Sequence, residues 1–238
     1  MHRWDVTPRE ALRIQEELRE RVLLQNRFKK IGTVAGADVS FFEDEVAAVV
    51  AVFDYETLEL VDETVVTSSC TFPYIPGLLT FLEGPVLIQA FEKLTHQPDV
   101  IIFDGQGIAH PRGIGIATHL GVLLERATIG CAKARLVGEY REPQREKGSL
   151  AALTLKSTTV GAVVRTRYGV KPIFVSPGHF MNITSAIEII MNCCTRYRLP
   201  EPIRWAHHRA RQCVSHFRKD EKGGFSRMKP KQAVRGLG

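Results

Sequence analysis

Apolar side chains at Ala11, Ile14, Leu18 and Val22 recur at the three- and four-residue spacing of one helical face. Thr7-Pro8-Arg9-Glu10 precedes them in the form of a capping box with proline at the first helical position, which predicts a helix from about Pro8 to Arg27. Beyond Gly32 the pattern changes to three strand-like runs, Thr33–Phe41, Val46–Phe53 and Leu58–Thr67, joined by short polar segments. Connections that short force an antiparallel meander. The segment Phe72-Pro73-Tyr74-Ile75-Pro76-Gly77 reads as a rigid loop, because its prolines lack donors and bias the preceding residues to extended shapes. A helix from about Pro85 to Leu94 and the continuous apolar strand Val100-Ile101-Ile102-Phe103 follow, the strand covered on both faces. A helix over Gly113–Glu125, a strand over Thr128–Leu136, a polar excursion from Glu139 to Gly148, and strands over Val160–Thr166 and Lys171–Ser176 come next. A helix capped by Asn182 and a last helix over Pro200–Arg218 complete the expected elements.

Composition changes this picture little. With 238 residues, 44% hydrophobic and 24% charged, residues 1–222 read as one globular domain, followed by a basic, disordered tail over 223–238. No apolar run approaches the roughly 18 residues needed to span a bilayer, and the start lacks the apolar core of a signal peptide. A cytoplasmic monomer with no membrane partner is the expectation. The five cysteines form no C-x-x-C pair, which predicts reduced, partly buried thiols rather than a disulfide framework or a zinc site. The net charge of +6 is concentrated: Arg204–Arg235 carries six arginines and four lysines against two acids, so the body before it is nearly neutral.

The chemistry begins with carboxylates. Asp38 interrupts an apolar strand, where an unpaired charge is costly, although a lone acid of this kind commonly bonds to a nearby backbone or arginine. Asp104 changes the picture. It ends the buried strand where an open α/β sheet places its ligand crevice, and Gly105 and Gly107 behind it permit close approach of a substrate backbone. A three-strand antiparallel meander followed by a helix and a strand parallel to the first is the layout of a ribonuclease-H-like mixed sheet flanked by helices, and it can bring Asp38 and Asp104 together. Glu83, beside Gly84-Pro85 at the mouth of the intervening helix, can point back to the same crevice. Three converging carboxylates imply a hard divalent cation, with Mg²⁺ suited to all-oxygen ligands and Mn²⁺ as a substitute. Such a site suits phosphodiester hydrolysis.

Six motifs then occur in order: Gly36-Ala37-Asp38-Val39-Ser40-Phe41; Pro73 to Leu79; Glu83-Gly84-Pro85; Asp104-Gly105-Gln106-Gly107 with His110-Pro111-Arg112; Ala132-Lys133-Ala134-Arg135-Leu136; and Leu199-Pro200-Glu201-Pro202. Together they resemble the endonuclease V family over nearly the whole chain through about Arg218. The resemblance implies that Asp38, Glu83 and Asp104 are the metal-binding acids, with Asp38 and Asp104 ligating directly. It places His207 near the metal and Lys133 at the scissile phosphate or a developing oxyanion. Tyr74 matches the aromatic of a strand-separating wedge carried by Pro73 and Ile75. Gly77, Leu79, Gly113, Gly115 and Ile116 resemble the pocket for a flipped hypoxanthine, and His110 a position near the substrate. Ser176-Pro177-Gly178-His179 also matches the family, without an assigned role.

The implied activity is that of a deoxyribonuclease in DNA repair, hydrolysing the second phosphodiester bond 3′ to deoxyinosine. Some relatives act on inosine-containing RNA instead, and single-stranded DNA is a further candidate substrate. A catalytically silent nucleic-acid-binding module is the alternative from another class. Arg209 and Arg211, near His207 on the last helix, are the expected phosphate contacts, together with Arg218 and Lys219.

Overall fold

In the computed structural model, which describes residues 1–70 and 72–221, eight strands join in one mixed sheet. β1 (Thr33–Phe42), β2 (Glu45–Asp54) and β3 (Leu60–Ser69) form the antiparallel meander. β4 (Val100–Phe103) and β5 (Ala127–Ala132) run parallel to β1. β6 (Leu150–Leu155), β7 (Thr158–Val164) and β8 (Ile173–Pro177) extend the sheet antiparallel, giving the spatial order β3-β2-β1-β4-β5-β8-β7-β6.

Successive residues of β1 and β4 point to opposite faces, and both faces are covered. Ala35, Ala37, Ile101 and Phe103 pack under α2 (Leu79–Glu92) and α3 (Ile116–Leu124), through Val86, Leu87 and Leu120. Val34, Ile102, Ile129 and Val175 pack on the other side against Ile189 and Ile190 of α4 (Ile183–Cys193) and Ile203 of α5 (Glu201–Glu221). That double coverage explains the uninterrupted apolar character of β4. α1 (Pro8–Arg19) begins with the expected capping box, in which the Thr7 side chain accepts from the Glu10 N–H and the Glu10 carboxylate accepts from the Thr7 N–H. It docks on α3 through Leu18, Ile114 and Val122.

Four boundaries differ from the sequence expectation. α1 stops at Arg19 rather than Arg27, and the following segment is instead tied to the loop after β8: Leu23 donates its N–H to His179 Nδ1, and Phe180 donates to the Leu23 carbonyl. α2 begins at Leu79 rather than Pro85, so Pro85 lies inside the helix and Glu83 projects from it rather than standing at its mouth. β5 ends at Ala132, which leaves Lys133–Leu136 exposed rather than within a strand. β6 lies between the polar excursion, expected to end at Gly148, and the strand expected from Val160, where no element was expected. Only Leu153 of this edge strand is fully buried, so its apolar signal is weak, and its two-residue hairpin uses Lys156 and Ser157 at φ 49° and 66° where glycine or asparagine is usual.

The cysteines are free, and Cys131, Cys193 and Cys194 are buried. No helix among the described residues is long and apolar enough to cross a membrane. The basic tail expected over 223–238, with its Gly223-Gly224 hinge, lies outside the described residues, as do the side chains of Arg218 and Lys219.

Candidate active site

The parallel ladder of β1 and β4 ends at the pair Ala37 and Phe103, and the Asp104 N–H reaches the Ala37 carbonyl at 3.3 Å. Asp38 and Asp104 are the next residues on the two strands, so period-two alternation turns both toward the face covered by α5. The start of α5 rests directly on β1: a Cβ at Gly36 would fall 2.2 Å from the Pro202 carbonyl carbon. From that contact, two residues along the strand advance about 6.6 Å and four along the helix about 6 Å. Asp38 therefore meets His207. Its Oδ2 accepts from His207 Nδ1 at 2.6 Å, and the fully buried Ile203, Ala206 and Ala210 give α5 the flat stripe that this close approach needs.

Asp38, Asp104 and His207 each offer a ligand atom, and these atoms lie within 4.8 Å of one another. Lys133, just past β5, pairs with Asp104 Oδ2. Asp38 is pushed up to about 6, first by burial and then by the Asp104 charge, with the His207 hydrogen bond opposing. Glu83 is held well above the ordinary carboxylate range by burial and by the charges of Asp38 and Asp104. Thus α2, on the opposite face, delivers Glu83 into the same field without adding it to the close ligand group. Oxygen and imidazole donors at this spacing fit a divalent cation, which would relieve the repulsion that raises both acids.

The loop before α2 is anchored from below. Phe72 and Ile75 pack with Ala11, Leu78 and Phe81, while Tyr74 stands 71% exposed. Tyr74 is thus not a core aromatic of its loop. Gly77, at φ +82°, presents one carbonyl to three donors: Gln15 Nε2 at 3.0 Å, His110 Nε2 at 3.0 Å and Arg112 Nη2 at 2.7 Å. His110 Nδ1 accepts the Arg112 N–H, so both ring nitrogens of this buried histidine hold backbone; burial and then Arg112 lower its pKa to about 4. Gln15 and Arg112 carry this anchor, although sequence reading named neither as a site residue. Gln15 left a signal, a polar residue four after Ala11 and three before Leu18 on the apolar face of α1, and the structure buries it to 1% exposure.

The glycines after Asp104 serve the chain's own packing. A Cβ at Gly105 would meet Ile116 Cγ2 at 2.6 Å, one at Gly107 the Pro177 carbonyl oxygen at 2.1 Å, and one at Gly115 the Gln106 carbonyl oxygen at 2.3 Å. The expected open approach for a substrate is filled by protein at Gly105 and Gly107. Ile116 is 3% exposed and Gly115 is buried, whereas Leu79 and Gly113 are half-buried. His179 accepts from Leu23 at Nδ1, and its own backbone N–H donates to Thr128 Oγ1, which gives it a structural place between the segment after α1 and β5.

Arg209 pairs with Glu63 of β3 at 2.8 Å, and Trp205 donates to the same carboxylate, so Arg209 is committed within the protein. Arg211 is exposed and lines a groove of about 430 Å³ with Arg204, His207 and His208.

The fold and the site define a class: a mixed α/β sheet that presents one acidic side chain from within a central strand and one just past the end of its parallel neighbour, with the Lys133 ammonium and the His207 imidazole against them. The family model for endonuclease V matches residues 16–208, and the chain belongs to that family, whose name describes an endonuclease. The endonuclease V of Methanothrix thermoacetophila is 52% identical over 207 residues, which cover 87% of this chain and 92% of that protein. Among solved structures, endonuclease V from Streptomyces avermitilis superposes with a TM-score of 0.86 at 39% identity, covering 90% of this chain and 96% of that one. Ciona intestinalis endonuclease V, in complex with a 23mer DNA containing an inosine followed by a ribo-adenosine, superposes at 0.79 with 28% identity, covering 89% and 100%.

Proposed function

We propose that this chain is a divalent-cation-dependent DNA endonuclease that recognises deoxyinosine and hydrolyses the second phosphodiester bond on its 3′ side, acting as a monomer with Mg²⁺ or Mn²⁺. The observation that carries the reading is the approach of the Asp38, Asp104 and His207 ligand atoms to within 4.8 Å, with Lys133 on Asp104. Asp38, Asp104 and His207 would hold the cation, and Glu83 would contribute through its field or a bridging water. When bound, a divalent cation supplies an activated water and neutralises charge on the leaving oxygen.

The chain's own groups do the rest. Lys133 turns from Asp104 to a phosphate oxygen, placing positive charge where the transition state gathers negative charge. Asp38, held by His207, keeps one carboxylate oxygen oriented toward the reacting centre. Tyr74, exposed on an anchored loop, fills the space left when the lesion base leaves the stack. Leu79 and Gly113, half-buried beside that loop, border the pocket for the flipped base, with Gly77, Gly115 and Ile116 as its rigid wall. The inosine-containing DNA bound by the Ciona relative supports this choice of substrate.

The test is a nicking assay on matched DNA and RNA strands, each with one inosine, with and without Mg²⁺. Cleavage of the DNA strand only with Mg²⁺, at the second bond 3′ to inosine, is expected, with Asp38→Ala and Asp104→Ala inactive but still binding the strand. Near-normal nicking by either variant overturns the metal assignment, and faster cleavage of the RNA strand overturns the choice of DNA.

A further inference from the structure

Lys133, like Asp104, lies just past the end of its strand. The β4·β5 ladder ends at the pair Phe103 and Gly130, β5 itself ends at Ala132, and Lys133 follows with its side chain 39% exposed. A long, exposed lysine on a free segment has many rotamers and no fixed position. Yet two successive carbonyls of that segment, those of Lys133 and Ala134, are both taken. Arg198 Nη2 donates to the Lys133 carbonyl at 3.0 Å and to the Pro172 carbonyl, just before β8, at 2.7 Å. Gln106 Nε2 donates to the next carbonyl, that of Ala134, at 3.0 Å.

Both clamps are themselves well seated. Gln106 is 8% exposed and lies two residues after Asp104. The Arg198 carbonyl accepts from Thr166 Oγ1 at 2.7 Å and Cys194 Sγ at 3.6 Å, which ties its backbone to the ends of β7 and α4. Asp104, Gln106, Ala134 and Lys133 thus close a ring: covalent along 104–106 and 133–134, hydrogen-bonded from Gln106 to Ala134, and ion-paired from Lys133 to Asp104. The ring joins the segments that follow β4 and β5 through side chains, past the point where the ladder stops.

We propose that Gln106 and Arg198 are positioning residues for the reaction, holding the Lys133 backbone so that its ammonium is delivered to the reacting phosphate rather than to solvent. The inference rests on the role of Lys133 given above. Neither residue touches substrate; each acts through a carbonyl of the segment that carries Lys133. A shift of about 1 Å in such a group costs on the order of a hundredfold in rate, while affinity for the strand, spread over many contacts, stays nearly constant.

The experiment is a double-mutant cycle read in single-turnover nicking of an inosine-containing DNA strand with Mg²⁺, with strand affinity and thermal melting measured alongside. Arg198→Ala and Gln106→Leu, the latter removing the donor while keeping the volume, are each expected to slow cleavage about ten- to a hundredfold and to change affinity less than about twofold. Arg198→Lys, which restores one donor, is expected to fall between Arg198→Ala and the parent. In the Lys133→Ala background both changes are expected to cost almost nothing further, because the group they position is gone.

If Lys133→Ala leaves the rate unchanged, the role of Lys133 fails and this inference with it. If Lys133→Ala is slow, but Arg198→Ala and Gln106→Leu cost as much in that background as in the parent, the clamp acts elsewhere and this inference alone fails. A lower melting temperature with an unchanged rate in both single variants likewise makes the residues merely structural and overturns it.

Discussion

Gly36→Ala tests the link between packing and chemistry, because the added methyl has nowhere to go but into the backbone of α5. Its Cβ would lie 2.2 Å from the carbonyl carbon and oxygen of Pro202 and 2.6 Å from the Ile203 nitrogen. Ordinary carbon contacts lie at about 3.5 Å, so roughly 1.3 Å must be found. No rotamer change can supply it, since all three atoms are main chain. β1 is bonded on one side to β2 and on the other to β4, so α5 is the element that moves. His207 rides on it one turn further along, and its 2.6 Å bond to Asp38 would open to roughly 3.9 Å, beyond hydrogen-bonding range. Overpacking of this kind costs about 1–3 kcal/mol. Displacement of a proposed cation ligand by more than about 1 Å predicts a rate loss near a hundredfold. Single-turnover nicking and thermal melting read both quantities. Gly32→Ala is the control, because its Cβ would meet only Asp99 Oδ2 at an ordinary 3.5 Å. A Gly36→Ala protein that melts and cuts like the parent would refute the docking argument, as would a large further loss when Gly36→Ala is added to His207→Ala.

Tyr74→Ala should weaken lesion-strand binding roughly ten- to a hundredfold, from a stacking contribution of about 1–3 kcal/mol, and leave the melting temperature in place because the ring is exposed; normal binding with a lower melting temperature would contradict the wedge role. His110 and His179, lowered to about 4 first by burial, bind protons more readily unfolded than folded between about pH 4 and 6.5, so their contribution to stability is present above pH 6.5 and lost as pH falls through that window. His110→Gln should therefore shrink the loss of stability between pH 7 and pH 5 by about 2 kcal/mol in denaturant titrations; comparison with the parent cancels Asp38, whose raised pKa acts in the opposite sense. An unchanged pH dependence would show that His110 is not buried neutral. Thr7→Ala, which removes the α1 cap, should cost about 0.5–2 kcal/mol in denaturant unfolding, and a loss below that range would mean that docking on α3 alone holds the helix.

Local physics was legible wherever a rule acts within a few residues. The capping box at Thr7, the three-strand meander, β4 to the residue and the Asn182 cap of α4 follow from hydrogen-bonding needs and periodicity that neighbours alone decide. Asp38 and Asp104 were legible as a pair because one interrupts an apolar strand and the other ends one, and a meander followed by a helix and a parallel strand brings such strands together. Other features depend on contacts between distant residues. Glu83 sits within a helix that tolerates Pro85, and β6 hides behind an exposed edge and an unusual hairpin turn. Gln106, Arg112 and Arg198 look like ordinary polar residues in the chain, and only folding sets their donors on the carbonyls of Ala134, Gly77 and Lys133. Gly105 and Gly107 read locally as openings for a ligand, but the tertiary structure fills both with Ile116 and Pro177. Sequence thus determined which side chains carry charge into apolar surroundings, because that cost is local. The tertiary structure decided which distant backbone and side-chain groups compensate it, because a hydrogen-bond partner is specified by proximity in space and leaves no periodic mark along the chain.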